Sequence, residues 1–156
     1  MRDGLADAGI GLAATPADAE ALIARLADES ARVRMYAALG LGRIGDERAV
    51  EALFNLLRET LDKDPPLRHA GVMGLVGCAT RERLVAATRD LNPHARMGAC
   101  LALRRHRDPS IAAFLADADP LVSLEAARAI NDIPIWGARA DLARALLDGA
   151  TRSGAF

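Results

Sequence analysis

Apolar residues recur at spacings of three and four along most of the chain, which is the period of an α-helix with one buried face. Clear stripes of this kind are Leu22-Ile23-Leu26, Val50-Leu53-Phe54-Leu57 and Ile111-Phe114-Leu115. Helix start and stop signals separate the stripes. The pattern predicts nine helices, at residues 16–27, 31–44, 47–61, 65–77, 81–90, 93–105, 109–116, 120–131 and 137–147.

Four of the predicted helices begin with the same signature. An N-cap residue, whose side-chain oxygen can accept a bond from a free backbone N–H, stands at Ser30, Asp64, Asn92 and Asp119. Proline follows three of these caps at the first helical position, where no backbone N–H is needed. The caps lie 34, 28 and 27 residues apart, so the chain repeats a unit of about 30 residues, enough for two short helices with their turns.

Aligning the four units on their caps places small residues in shared columns. One column holds Ala37, Gly71, Ala99 and Ala126, a second holds Gly40, Gly74, Ala102 and Ala129, and a third holds Leu41, Leu75, Leu103 and Ile130. A helix pair this short cannot bury its apolar face alone, so successive pairs must stack. We therefore predict an all-α fold, an α-solenoid of about four to five helix pairs, with close contact between neighbouring repeats at Gly40 and Gly74.

The pattern also suggests a division of the chain. Residues 15–149 form the predicted repeat domain. Residues 1–14 are predicted to be an N-terminal tail or partial cap, and residues 150–156 a C-terminal tail.

The repeat residues resemble a known family. Val33-Arg34 with Ala37-Ala38-Leu39-Gly40, followed by Ile44-Gly45-Asp46 and Ala49-Val50-Glu51-Ala52-Leu53, is similar to the HEAT repeat in its short bacterial form. The resemblance covers about residues 16–147. It implies a scaffold or protein-interaction module that works without catalysis, with a protein or peptide as partner.

A second resemblance is confined to residues 119–135. This stretch is similar to the HEAT segment of large multidomain proteins of planctomycete-type bacteria, in which a sugar-dehydrogenase-like propeller precedes the repeats and a c-type cytochrome domain follows. The resemblance implies the linker domain of a larger protein. It implies no redox role here, because the sequence has no Cys-x-x-Cys-His motif for haem attachment.

Charge and composition reduce the number of function classes that the sequence allows. The formal net charge is −1, from 20 basic and 21 acidic residues, which argues against a general nucleic-acid binder. No apolar run reaches the length of a membrane span, and no secretory signal is recognisable. We expect no membrane partner. The sequence does not fix the cellular compartment. We expect the cytoplasm by default, and the periplasm if the chain is part of a larger exported protein.

Candidate chemistry is sparse. We expect no catalytic residue, cofactor or metal site, because no nucleophile–base pair, glycine-rich phosphate loop or histidine pair stands at ligand spacing. Cys78 and Cys100 are predicted to be free buried thiols. The alternatives to a scaffold are a nucleic-acid-binding HEAT-like domain, which would need a basic concave face, and an accessory subunit of a lyase-type enzyme, which would bind a tetrapyrrole.

Two groups of residues are candidates for binding or for holding repeats together. Arg34, Arg68 and Arg96 occupy the fourth position after their caps. We favour an inter-repeat ladder of ion pairs over a basic row that grips an acidic partner. Asn131, Asp132 and Trp136 lie where a helix is predicted to stop. We favour a simple helix end there over a binding corner with tryptophan as its anchor.

Overall fold

The computed structural model describes residues 14–60 and 63–152, and every regular element in those ranges is helical. The α-helices there are α1 (Ala19–Arg25), α2 (Ala31–Ile44), α3 (Val50–Thr60), α4 (Pro65–Cys78), α5 (Arg81–Ala86), α6 (Pro93–His106), α7 (Pro120–Asp132) and α8 (Arg139–Arg152). Short 3-10 helices at Pro16–Asp18, Glu47–Ala49, Ala87–Arg89, Pro109–Phe114 and Trp136–Ala138 extend or replace them. The predicted all-α fold class is confirmed.

The predicted helix positions agree closely with the observed ones, and the two largest differences are in the second half of the chain. Residues 109–116 form a 3-10 helix, Pro109–Phe114, because few residues separate its cap Asp108 from the next turn and an α-helix needs more residues to nucleate. The last helix, α8, continues to Arg152 rather than ending at residue 147. The predicted N-terminal tail up to residue 13 and the final residues 153–156 lie outside the described residues.

Most of the predicted N-caps make the expected bonds. The side chain of Asp64 accepts from the backbone N–H of Leu67, that of Asn92 from His94 and that of Asp119 from Leu121. Ser30 is the exception, because its side chain makes no capping bond. Its own backbone N–H instead donates to the Asp28 carboxylate at 2.9 Å, so an aspartate before the helix orders this turn.

The described chain forms two compact units, and the boundary between them falls after Arg83, within α5. In the first unit α2 lies along α4, α1 packs on α2, and α3 packs on α4. The fully buried leucines of this core are Leu41, Leu53, Leu57 and Leu75. Helices of the same kind in successive repeats thus pack side by side, as helical repeats require.

The second unit repeats this packing, with a 3-10 helix of 6 residues where the first unit has the 11 residues of α3. Helix α6 packs on α7, and the 3-10 helix Pro109–Phe114 packs on both. Phe114 brings the largest fully buried side chain to this core, where Leu103, Ile111 and Ile130 are also fully buried. No residue from Arg139 to Gly149 on α8 is fully buried.

Helices α2 and α4 touch backbone to backbone. A Cβ added to Gly77 would lie 1.8 Å from the carbonyl oxygen of Gly42, and one added to Gly42 would lie 2.5 Å from that of Met73. The prediction of close contact through glycine is thus correct at Gly74, where a Cβ would lie 3.1 Å from the carbonyl oxygen of Ala38. The tightest approach is at Gly77, which the shared columns did not identify.

We predict that Gly77→Ala lowers the free energy of unfolding by about 3 kcal/mol, because the added methyl group must displace a backbone carbonyl rather than a flexible side chain. The matched control is Gly149→Ala on α8, where a Cβ meets nothing within 4 Å. That change should be neutral or stabilising by up to about 1 kcal/mol, since alanine is the better helix former. Urea denaturation followed by circular dichroism measures both variants. Equal effects of the two changes would contradict the close contact.

Candidate functional site

The candidate arginines Arg34 and Arg96 make the same contacts with the turn that precedes their helix. Nη1 of Arg34 donates to the carbonyl oxygens of Asp28 at 2.7 Å and Glu29 at 3.2 Å. Nη1 of Arg96 donates to those of Asp90 at 2.8 Å and Leu91 at 3.3 Å. Each guanidinium therefore satisfies carbonyl groups of the turn between two helices and ties that turn to its own helix.

Arg96 makes a second contact that joins two repeats. Its Nε and Nη2 bind the two carboxylate oxygens of Asp117, with Nε–Oδ2 and Nη2–Oδ1 both at 2.9 Å. The side chains of Arg96 and Asp117 are only 11% and 3% exposed. The hydrogen bond with Asp117 raises the pKa of Arg96. A bidentate, buried pair of this kind fixes both partners and leaves Arg96 unavailable to a ligand.

The aspartate that stands two residues before each cap was not among the predicted residues. Asp28, Asp90 and Asp117 accept from the backbone N–H of the cap residue, Ser30, Asn92 and Asp119 respectively, at 2.8–2.9 Å. The signal was present, since an aspartate stands two residues before every one of the four caps. Arg68 holds the equivalent position on α4 and is half-buried, and Ser123 replaces arginine on α7.

The basic run Arg104–Arg107 ends α6. Arg104 forms an ion pair with Glu125 of α7, and Arg107 takes a left-handed conformation, φ 53°, that closes the helix. Within this run, Arg104 thus pairs two helices and Arg107 ends one. Arg104, which is paired with Glu125, is therefore not available to an anionic ligand.

The corner at Trp136 is exposed. The tryptophan side chain is 71% accessible, and the guanidinium carbon of Arg139 lies 3.9 Å from its ring centroid. Asn131 donates to the carboxylate of Asp132 at 3.2 Å, and both residues are exposed. The stacked arginine covers one ring face, while Ile135 beside it is buried and anchors the corner. The arrangement fits a helix end and leaves the tryptophan accessible.

An open cleft of about 390 Å³ lies in the second unit between residues 112–116 and α8. Half of its lining residues are alanine, and its charged lining includes Asp141 and Arg144, which bind each other at 3.0 Å. Nothing in this cleft resembles an activated nucleophile or a paired acid and base.

Both cysteines are free and buried, as predicted. The Cys78 thiol donates to the carbonyl oxygen of Leu41 at 3.1 Å. Burial raises the pKa of Cys78 to about 11 and that of Cys100 to about 12. Both thiols are therefore protonated at neutral pH and are poor nucleophiles and metal ligands. Among the described residues, no group of three histidine, cysteine, aspartate or glutamate side chains is placed to hold a metal ion.

Comparison with known proteins adds one match. Residues 19–77 match the family described as HEAT repeats, and this stretch spans α1 to α4. No curated protein matches the chain. The match supports the predicted relation to HEAT repeats for the first unit. In the described part of the chain, no helix is both long enough and apolar enough to cross a membrane.

We predict that Asp117→Asn lowers the free energy of unfolding by about 3 kcal/mol, because it leaves the buried Arg96 guanidinium without its counter-charge. The asparagine oxygen can still accept from the backbone N–H of Asp119. Its amide nitrogen replaces one of the two oxygens that accept from Arg96, so the variant removes the charge together with one hydrogen bond. Asp141→Asn is the control, since the Asp141–Arg144 pair is exposed and its loss should change stability by less than about 0.5 kcal/mol. Urea titration compares them, and a small effect at Asp117 would contradict a structural role for the pair.

We also predict that neither thiol reacts with a thiol-specific reagent in the folded protein near pH 8. At the pKa of Cys78, about 11, only about one thiol in a thousand is ionised at that pH, and burial blocks access as well. The reaction is followed by the absorbance of the product that Ellman's reagent releases, before and after denaturation, with glutathione as the reference thiol. Two thiols should appear on unfolding. Rapid reaction of one thiol in the native protein would show that it is accessible.

Proposed function

We propose that the HEAT-type repeats extend through both units and that the chain is a non-catalytic scaffold or protein-interaction module. The match of residues 19–77 to HEAT repeats carries the proposal, because proteins of this type generally act in that way. The repeated caps and the arginine-to-turn contacts of α2 and α6 support its extension beyond residue 77, since they place one element of each unit in the same register.

The chemistry of the candidate residues supports binding rather than turnover. The Arg96 guanidinium is engaged by Asp117, and the thiols are protonated and buried. The exposed side chains at Trp136 and on α2 and α4 can contact a partner but include no paired acid and base. A nucleic-acid ligand is the alternative, and the formal net charge of −1 argues against it.

We test the proposal by cross-linking the tagged chain in source cells and purifying it in moderate salt. A tagged helical protein of similar size and charge is the control. We expect one or a few polypeptides in near-equal amount with the chain, absent from the control. Recovery of nucleic acid alone, lost as salt is raised, would contradict a protein-binding module and identify non-specific electrostatic binding.

The resemblance of residues 119–135 to a multidomain HEAT segment leads to a narrower proposal: the chain is the linker domain of a larger protein. An immunoblot of source-cell extract with antibody raised to the chain tests it. We expect a band much larger than 16.5 kDa. A band near 16.5 kDa would contradict the linker proposal and leave a free-standing adaptor.

A further inference from the structure

The solvent side of α2 and α4 can be located from their contacts. On α4, Gly71 and Gly74 face α3, because a Cβ on them would lie 2.9 Å from Leu57 and 2.5 Å from Leu53. Gly71 and Gly74 stand seven and ten residues after the cap. Measured from the mean direction of these two glycines, positions five and nine after a cap are rotated by about 170° and 130° at 100° per residue. They therefore lie on the side of the helix that faces away from α3.

Apolar side chains occupy much of this outer side, and the exposed His69 holds position five of α4. Met35 and Leu39 stand at positions five and nine of α2, while Met73 and Val76 lie on the corresponding side of α4. All four are half-buried. The close approach of the two backbones at Gly42 and Gly77 brings these side chains into one surface, which we call the α2–α4 outer face.

Positive charge borders the α2–α4 outer face, and negative charge is absent from both helices. Neither Ala31–Ile44 nor Pro65–Cys78 contains an aspartate or glutamate. Arg32 and Arg43 are exposed and stand one turn before Met35 and one turn after Leu39. Along the helix axis they are about 16 Å apart, which is about three helical turns.

The solvent side of α3 shows that this is not a general property of the first unit. There the exposed residues include Glu51, Asn55 and Glu59, and Arg58 binds Glu51 at 2.9 Å. Helix α3 therefore has the charged, internally paired surface that a helix facing water normally has. The α2–α4 outer face instead has aliphatic and thioether side chains with a border of arginine.

We propose that the α2–α4 outer face docks an acidic amphipathic helix of a protein partner, an inference that rests on the proposed function. The apolar side chains of the partner would pack on Met35, Leu39 and Met73. Methionine suits this role because its flexible thioether adapts to the shape of an apolar partner. A carboxylate of the partner helix would pair with Arg32, which sets its position along α2.

The charge and the side chains of the α2–α4 outer face favour an acidic helix over a basic helix or a nucleic acid. A basic helix would meet arginine with no carboxylate on either helix to offset the repulsion. A nucleic acid draws its affinity from many phosphate contacts and from stacking on aromatic side chains, whereas this surface is mainly aliphatic and has few exposed cations.

The test uses the full chain and a display library of random peptides about four helical turns long. Enriched peptides are synthesised with a fluorescent label, and their affinity is measured by fluorescence polarisation. The variants are Met35→Glu, which places a carboxylate in the apolar strip, and Arg32→Glu, which reverses the charge at one end. The matched controls are Leu147→Glu and Arg89→Glu, exposed positions in the second unit. Circular dichroism confirms that each variant is folded.

We expect enriched peptides to combine aspartate or glutamate with apolar residues at helical spacing. Each test variant should weaken their binding at least about tenfold, while each control leaves it within about twofold. Basic peptides, or acidic ones that the test variants bind unchanged, would overturn the inference and leave the protein-binding function standing. Selection of no peptide would also overturn it, and the cross-linking experiment would then decide the function alone. Labelled single-stranded DNA that loses binding in Arg32→Glu would identify a nucleic-acid surface instead.

Discussion

The first unit depends on the contact between α2 and α4 at Gly42 and Gly77. Two helices can approach this closely only where neither carries a Cβ at the crossing, because a methyl group on Gly77 would overlap the carbonyl oxygen of Gly42. The contact has two consequences. It places the Cys78 thiol within hydrogen-bond distance of the Leu41 carbonyl, and it joins the outer sides of the two helices into one surface.

The second unit adds ion pairs to the apolar packing between its equivalent helices. At the position that Gly42 holds on α2, α6 carries Arg104, whose side chain reaches Glu125 of α7. Arg96 and Asp117 add a buried bidentate pair between the same two repeats. One repeat pattern thus supports two ways of stacking helices, close backbone packing in the first unit and ion pairing in the second.

Local features of the sequence were enough to predict the helices. The caps at Asp64, Asn92 and Asp119 recur, and their chemistry does not depend on the rest of the fold. Contacts between repeats were harder to predict. Gly77 lies in no shared column, and its contact depends on how two helices cross. Asp117 is 21 residues from Arg96, so the pair becomes visible only once both turns are placed.

The contacts of the candidate binding residues were also hard to predict from the sequence. The sequence singled out Arg96 and Trp136 by type and position. It did not reveal that Asp117 engages the arginine or that Arg139 covers one face of the tryptophan. The α2–α4 outer face could not be predicted from the sequence, because methionine and leucine occur on the buried side of a helix as well as on its solvent side. The partial burial of these side chains and the position of α3 in the structure show that they lie on the solvent side.

Amide hydrogen exchange on the free chain, resolved by mass spectrometry, tests most directly whether the α2–α4 contact supports the first unit. We expect the amides of α2 and α4 to exchange slowest and at similar rates, because opening either helix breaks the shared contact. Helix α8 should exchange much faster, since none of its residues from Arg139 to Gly149 is fully buried. Protection of α8 equal to that of α2 and α4, or fast exchange of α4 alone, would contradict the account.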